Sequence, residues 1–172
     1  MSDGAPGGGQ LLELYDRALP QVYGYLFGRC RDAHLAEELT ADTFLAAVET
    51  AGDHKGLTTA WLITVARNKL VDHWRREERE NRRQLRLTDD ELARASGEWD
   101  ASLDSGRAEA VLARLRAPHR AVLTLRYVDG LSISEVAGIV DRTVHATEAL
   151  IVRARAAFRR LYEEEEGDDT DA

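Results

Sequence analysis

Residues typical of strand-rich, disulfide-bonded and membrane proteins are scarce in this chain of 172 residues. Three prolines and 6% aromatic residues, with Ala, Leu, Arg and Glu recurring throughout, argue against strand-rich architectures and favour an all-α fold. The single cysteine, Cys30, excludes an internal disulfide. No stretch approaches the roughly 18 uncharged apolar residues of a membrane span, and residues 1–10 lack the apolar core of a signal peptide. We therefore expect no membrane insertion and a cytoplasmic protein.

Motifs that would indicate an enzyme or a metal protein are also missing. The sequence has no phosphate-binding Gly-x-x-x-x-Gly-Lys, no Cys/His nucleophile pattern and no metal-ligand spacing among its five histidines. The carboxylate cluster that we consider as a candidate site is Glu37, Glu38 and Asp42. Glu38 and Asp42 lie one helical turn apart and could coordinate a cation, but acids on a single helix usually form a solvated face, which we interpret as a docking surface. We predict no catalytic residue, no metal and no cofactor.

The net charge of −8 is unevenly distributed. Residues 87–106 carry six acidic and one basic residue, and residues 163–172 carry seven acidic residues and no basic one. Together these two stretches carry a charge of −12. Because the whole chain carries −8, the rest of it carries +4. Mildly basic folded parts are compatible with binding to the phosphates of nucleic acids.

Apolar periodicity predicts two small helical domains joined by a flexible acidic linker. The first domain, 11–87, has helices over 11–27, 33–50 and 59–87, and the second, 107–162, has helices over 107–115, 118–128 and 132–140 and from 143 onwards. Residues 1–10 are predicted to be a disordered N-terminus, 88–106 the linker and 163–172 an acidic tail. The predicted inward faces include Tyr15, Val48 and Val144. The tail is interpreted as solubilising, with competition for nearby arginines as the alternative.

The second domain has the pattern of a helix-turn-helix. Ser132 and Glu135 form a capping box before one helix, Asp141 to Thr143 is a short break, and Thr143 can cap the next helix. This geometry sets a recognition helix into a major groove, although a helical hairpin with solvated arginines is the plainer alternative. The candidate upstream DNA contacts are Arg142, Thr143, His145, Ala146, Glu148, Ala149, Val152, Arg153 and Arg155.

The end of the first domain is densely basic. Residues 67–86 contain eight basic and four acidic residues. The spacing of four, three and four residues predicts a ridge along one face of the helix, formed by Asn68, Asp72, Arg75 and Arg79. Trp61 and Trp74 could stack on unpaired bases, although tryptophan in an amphipathic helix is more often core. Asp72 could instead orient an arginine. We predict a strand-binding surface on this helix.

From about Leu11 to Tyr162 the chain resembles the extracytoplasmic-function (ECF) group of RNA polymerase sigma factors. The run from Ala36 to Leu45 is similar to the group's region 2.2, which in relatives docks on the clamp helices of the polymerase β′ subunit. The resemblance implies a core-polymerase surface at Glu37, Glu38, Asp42, Thr43 and Phe44.

Two further stretches are similar to the parts of the group that bind promoter DNA. The run from Ala60 to Asn68, with Asp72, Arg75 and Arg76 after it, resembles regions 2.3 and 2.4, which recognise and open the −10 element. The run from Leu115 to Ser132 resembles region 4.1, and that from Glu135 to Arg155 resembles region 4.2, which binds the −35 element. The −10 contacts implied are Trp61, Arg67, Asn68, Lys69, Asp72, Arg75, Arg76 and Arg79.

The departures from the group lie in the helix-turn-helix. Asp141 and Arg142 stand where relatives have Gly and Ile, and Glu148 and Leu150 stand where relatives often have basic residues. A glutamate can accept a hydrogen bond from cytosine but repels phosphate, so we expect altered specificity or weaker −35 binding.

The resemblance implies a non-catalytic subunit that binds core RNA polymerase, at the β′ clamp helices and the β flap, and directs it to promoter DNA. Relatives often have an anti-sigma protein, which makes one a candidate partner here. The alternative is a transcriptional regulator that uses the helix-turn-helix without binding polymerase. That alternative leaves the first domain unexplained.

Overall fold

A computed structural model of the protein describes residues 8–50, 57–84 and 105–168, with side chains at 12–50, 57–81 and 105–164. All regular structure in these ranges is helical. The chain divides into two compact units, residues 1–72 and 73–172. The division falls inside one long helix, so each unit contains part of that helix.

The first unit is built from α1 (Gly8–Cys30), α2 (Ala33–Thr50) and the first half of α3 (Thr59–Gln84). The second half of α3 belongs to the second unit, with α4 (Ser105–Arg114), α5 (Ala117–Leu123), a π-helical segment (Thr124–Val128), α6 (Ile133–Val140) and α7 (Val144–Asp168). The predicted all-α fold is therefore confirmed. In the part of the chain that the structure describes, no helix is long and apolar enough to cross a membrane.

Side-chain caps explain where several helices begin. An Asp32 carboxylate oxygen accepts the Leu35 N–H at 3.0 Å before α2, and the Thr58 hydroxyl accepts the Trp61 N–H at 3.1 Å before α3. Each cap satisfies a backbone donor that the first turn of a helix leaves unpaired. These short polar residues therefore set the register of the helices that carry the candidate sites.

The first unit has one apolar core, to which α1 and α2 contribute facing surfaces. Its fully buried side chains include Val22 and Leu26 of α1, Leu39 of α2, and Leu62 and Leu70 of α3. Val48, predicted to face inward, is 56% exposed, and Ala47 is buried in its place. Tyr15, also predicted to lie in the core, is 40% exposed. Its ring packs edge-on against the Phe44 ring, with 4.7 Å between the ring centroids.

The core of the second unit is organised around α7, against which α4, α5 and α6 all pack. Thr147, Ile151, Ala154 and Phe158 are buried along it, as the apolar spacing predicts. Val144 is a wrong prediction, because it is 46% exposed in the first turn of α7.

Several predicted boundaries differ from the observed ones. The N-terminal helix begins at Gly8 rather than Leu11, α4 begins at Ser105 rather than Arg107, and α7 continues to Asp168 into the predicted tail. Of the predicted linker, residues 88–104 lie outside the described residues, as do residues 1–7 and 169–172.

Candidate nucleic-acid and protein interfaces

One face of α2 presents acidic and apolar side chains together. Glu37 and Glu38 are exposed and Asp42 is half-buried. Two large apolar residues that the sequence reasoning did not select, Leu45 and Val48, are each 56% exposed on the same helix. At 100° per residue, positions 37, 38, 45 and 48 fall within one arc of about 100°, so the apolar pair lies between the acids. Such a face suits a partner helix with apolar and basic side chains.

The other two α2 candidates, Thr43 and Phe44, lie in the core of the first unit. Thr43 is 0% exposed and its hydroxyl donates to the Leu39 carbonyl at 2.7 Å, while Phe44 is 8% exposed. Both side chains pack under α2, so Thr43 presents no surface to a partner and Phe44 presents only a small part of its ring.

A groove of about 460 Å³ opens beside Glu37, between α1 and α2. Its walls are mainly apolar and aromatic, and Tyr15, Tyr23 and Phe44 line it with Leu19, Pro20, Thr40 and Ala41. The α1 residues were assigned to the core or left unassigned by apolar periodicity, which does not distinguish a core side chain from one that lines a groove.

In the first half of α3 the candidate −10 residues alternate between half-buried and exposed. Trp61, Arg67 and Lys69 are half-buried, whereas Asn68 and Asp72 are exposed. The half-buried ring of Trp61 retains an accessible part, as a stacking surface requires.

Arg67 is positioned by α1, which the sequence reasoning missed. Its Nε donates to the Tyr25 hydroxyl at 3.4 Å. The Arg29 guanidinium lies 3.6 Å from the centroid of the Tyr25 ring and donates to the Tyr25 carbonyl at 2.9 Å. Arginine one turn after an aromatic residue is the only sequence signal for this cluster, and many solvated helices share it.

The remaining −10 candidates lie on the second half of α3, in the second unit. Arg76 and Arg79 are exposed, whereas Arg75 is half-buried and donates to the Ile139 carbonyl at 2.7 Å. Trp74 is 2% exposed, so the interpretation of this tryptophan as core is correct. The predicted ridge is therefore continuous in the helix but differs in accessibility along its length.

The helix-turn-helix has the caps that its sequence predicts. Ser132 and Glu135 form the complete capping box before α6, and the Thr143 hydroxyl accepts the Ala146 N–H at 3.1 Å before α7. Between the two helices Asp141 adopts the left-handed conformation, with φ 54°. This turn sets the direction in which α7 leaves α6.

The candidate −35 residues form one accessible face at the start of α7. Arg142, Thr143, His145, Glu148, Ala149 and Val152 are exposed, and Ala146, Arg153 and Arg155 are half-buried. Leu150, which stands where relatives often have a basic residue, is only 5% exposed. Its side chain therefore packs in the core and is not available to contact a base. Among the departures on α7, Glu148 alone changes the charge that DNA would meet.

The surfaces bring together no obvious metal ligands. Over residues 8–50, 57–84 and 105–168, no three His, Cys, Asp or Glu side chains are grouped so that they could hold a metal ion.

Two family models match the chain, Sigma-70 region 2 over residues 14–80 and Sigma-70 region 4 over residues 105–158. The chain is 33% identical to the ECF RNA polymerase sigma factor SigL of Mycobacterium tuberculosis over 150 residues, which is 82% of this chain and 84% of SigL. This chain belongs to the ECF sigma factors. Such a sigma factor binds RNA polymerase and directs transcription initiation, so a regulator that acts without polymerase is not favoured.

A second relative agrees with this assignment, and one solved structure has a similar fold. The ECF sigma factor BldN of Streptomyces coelicolor is 33% identical over 158 residues, which is 86% of this chain and 58% of BldN. The sigma factor RpoE of Bartonella quintana, solved with the anti-sigma factor NepR, shares the fold with a TM-score of 0.53. Its identity is 22%, over 90% of this sigma factor and 97% of RpoE.

Proposed function

We propose that α2 is the surface by which this sigma factor docks on the β′ clamp helices of core RNA polymerase. Leu45 and Val48 supply the apolar contact, and Glu37, Glu38 and Asp42 supply charges that select a basic partner. Thr43 and Phe44 act indirectly, because they hold α2 against the core. This face is the observation on which the proposal chiefly rests, since a DNA-binding module that acts alone has no need of an exposed apolar and acidic helix.

The −10 element is proposed to bind along α3. Trp61 offers a partly accessible ring to an unpaired base, and Arg67, Asn68, Lys69, Asp72, Arg75, Arg76 and Arg79 follow the strand towards the end of the helix. Stacking with positive charge is the usual basis of single-strand binding. Tyr25 and Arg29 join this surface as groups that orient Arg67.

The −35 element is proposed to lie against the start of α7. The side chains from Arg142 to Val152 face the major groove, and Arg153 and Arg155 lie towards the phosphates. Glu148 places a carboxylate among them, which lowers non-specific affinity more than it alters the fit to a site with a matching cytosine. In the same unit, exposed Tyr127 and Val128 offer an apolar contact for the β flap.

The protein acts in the cytoplasm as a specificity subunit without catalysis of its own, and the polymerase supplies the chemistry. The domains are proposed as 11–87 and 107–162, joined by residues 88–106. An anti-sigma protein is a proposed partner, by analogy with the NepR complex of the Bartonella protein.

Reconstitution with purified core polymerase tests the proposal. The full chain is mixed with core enzyme, separated by gel filtration, and used to transcribe a pool of random double-stranded templates whose RNA 5′ ends are sequenced. We expect co-elution, and start sites preceded by two shared elements. A chain that neither co-elutes nor yields such sites would refute the proposal, and co-elution without shared elements would refute its DNA part.

A further inference from the structure

Glu148 is the one acidic residue between Arg142 and Arg155, the stretch proposed to meet the −35 element. Its side chain is exposed, and within the described ranges its carboxylate has no hydrogen-bond or ion-pair partner. The carboxylate therefore does not hold the fold together, and its charge opposes binding to phosphates. An exposed acid in this position has to be explained by what it meets in the major groove.

Val144 and Val152 stand one helical turn before and one turn after Glu148. Each valine is 46% exposed. Val144 was predicted to face inward, so it was not among the candidate DNA contacts. At 100° per residue, the three side chains fall within an arc of about 80° on α7. We call them the donor-free stripe, because two alkyl groups and a carboxylate carry no hydrogen-bond donor.

The donors of this face lie on its other side. His145 is exposed at about 100° from Val144 around the helix, and Arg153 is half-buried at about 180°. Ala149 lies between these two side chains and has no polar group. The start of α7 is thus divided into an edge without donors and an edge with donors, and the two edges suit different bases.

The major-groove edges of the bases differ in what they offer to such a stripe. Guanine presents two acceptors, N7 and O6, and adenine presents the acceptor N7 beside an amino donor. Cytosine presents an amino donor, and thymine presents the acceptor O4 with a methyl group. A purine under the stripe would lose the water on N7 and find no donor in its place, which lowers the affinity. The stripe therefore favours pyrimidines.

We propose that the donor-free stripe reads a pyrimidine tract in one strand of the −35 element, with a cytosine under Glu148 and a thymine under each valine. The carboxylate accepts from the cytosine amino group, and the valines pack on the thymine methyl groups. Two helical turns rise about 11 Å, so the three contacts fit within about four base pairs. The inference rests on the proposed function, which places the start of α7 in the major groove.

The order of preference at the central base pair follows from the same contacts. Cytosine should bind best, adenine next because its amino group still donates, and guanine worst because both of its acceptors face the carboxylate. Glu148→Gln adds an amide donor, so the preference should move to adenine, whose N6 and N7 suit a glutamine. Glu148→Ala should leave no strong preference. If Glu148 had only a structural role, none of these changes would alter which base is preferred.

Selection of templates by the holoenzyme tests this order. The full chain is combined with core polymerase and with promoter templates whose segment upstream of the −10 element is randomised, and the templates held in initiation complexes are sequenced. For the unchanged protein we expect one position at which cytosine is enriched at least roughly fivefold over guanine. Glu148→Gln should enrich adenine at that position. Glu163→Gln, an exposed glutamate later in α7, is the matched control and should keep cytosine.

Two other outcomes of this selection separate the inference from the proposed function. The same base preference with Glu, Gln or Ala at position 148 would overturn the inference, while the selected upstream element would leave the proposed function standing. Failure of the unchanged protein to form initiation complexes, or to select any upstream element, would refute the proposed −35 function and the inference with it.

The valine contacts are tested separately with uracil. Replacement of one tract thymine by uracil removes only the methyl group, and it should weaken binding of the holoenzyme to that template roughly twofold to fourfold. Val144→Ala should abolish the difference at one thymine, and Val152→Ala should abolish it at the other. Leu12→Ala, at a 62% exposed residue of α1, is the control and should retain both differences. Retention of both differences by the two valine variants would overturn the thymine contacts.

Discussion

Ser132 and Glu135 cap each other at the entrance to α6. The Ser132 hydroxyl accepts the Glu135 N–H at 3.3 Å, and a Glu135 carboxylate oxygen accepts the Ser132 N–H at 2.8 Å. The reciprocal bonds satisfy two backbone donors that would otherwise be unpaired. They also fix the residue at which the first helix of the helix-turn-helix begins.

Substitution of Ser132 by Ala should lower the free energy of unfolding of the protein by about 1 kcal/mol, because the Glu135 N–H loses its acceptor. Urea unfolding followed by circular dichroism measures this loss. Ser132→Thr keeps a hydroxyl and should lose much less. Equal stability of the Ala variant and the unchanged protein would show that the cap does not contribute.

Removal of the Glu148 charge should strengthen binding to double-stranded DNA. Glu148→Gln takes away a carboxylate from the exposed face of α7, so we expect roughly twofold to fivefold higher affinity at low salt. Glu163→Gln, an exposed glutamate late in the same helix, is the matched control. Titrations of random-sequence duplex at several salt concentrations test this. The same affinity in both variants would remove Glu148 from the DNA surface.

A charge placed in the apolar part of the α2 face should disrupt polymerase binding. Leu45→Asp is expected to weaken binding of core polymerase at least about tenfold, because burial of the new carboxylate at the interface is unfavourable. The side chain is 56% exposed, so folding of the free protein should be unaffected. Leu12→Asp, at a 62% exposed residue of α1, is the control. Competition for core enzyme against a labelled copy of the unchanged protein gives both affinities.

The turn before α7 offers a stabilising substitution. Asp141 has φ 54°, a conformation whose steric strain costs an L-residue with a Cβ roughly 1 kcal/mol and is absent in glycine. Asp141→Gly should therefore raise the melting temperature, and Asp141→Val should lower it, since a β-branched side chain is worse there. Differential scanning calorimetry of the three proteins tests this order. A lower melting temperature for the Gly variant would mean that the Asp141 side chain itself stabilises the turn.

Local signals in the sequence were sufficient to predict where most helices lie, but not to predict which side chains the packing of those helices buries. Both ends of α2 and both caps of the helix-turn-helix could be predicted, because each depends on neighbours within a few residues. Val48 was wrong because a stripe with steps of three or four fits Ala47 equally well. The burial of Leu150 was missed because α7 has helices on several sides, which widens its buried face beyond a narrow stripe.

The candidate sites show the same difference between what local sequence signals predict and what depends on packing between helices. The exposed candidates on α7 and at Glu37 and Glu38 could be predicted from helical phase together with the family resemblance. The pairing of Glu78 with Arg116 joins residues 38 positions apart, and the contact of Tyr25 with Arg67 joins residues 42 apart. No local pattern encodes such pairs, because they depend on how separate helices pack.

The π-helical segment from Thr124 to Val128 affects how this chain can be compared with its relatives. There the Asp129 N–H bonds to the Thr124 carbonyl at 2.9 Å, five residues back rather than four. One extra residue in a turn rotates everything after it by about 100° relative to an uninterrupted α-helix. A relative that lacks this residue would present a different pair of side chains where Tyr127 and Val128 are exposed. An alignment with such a relative needs a one-residue gap in this segment rather than a substitution.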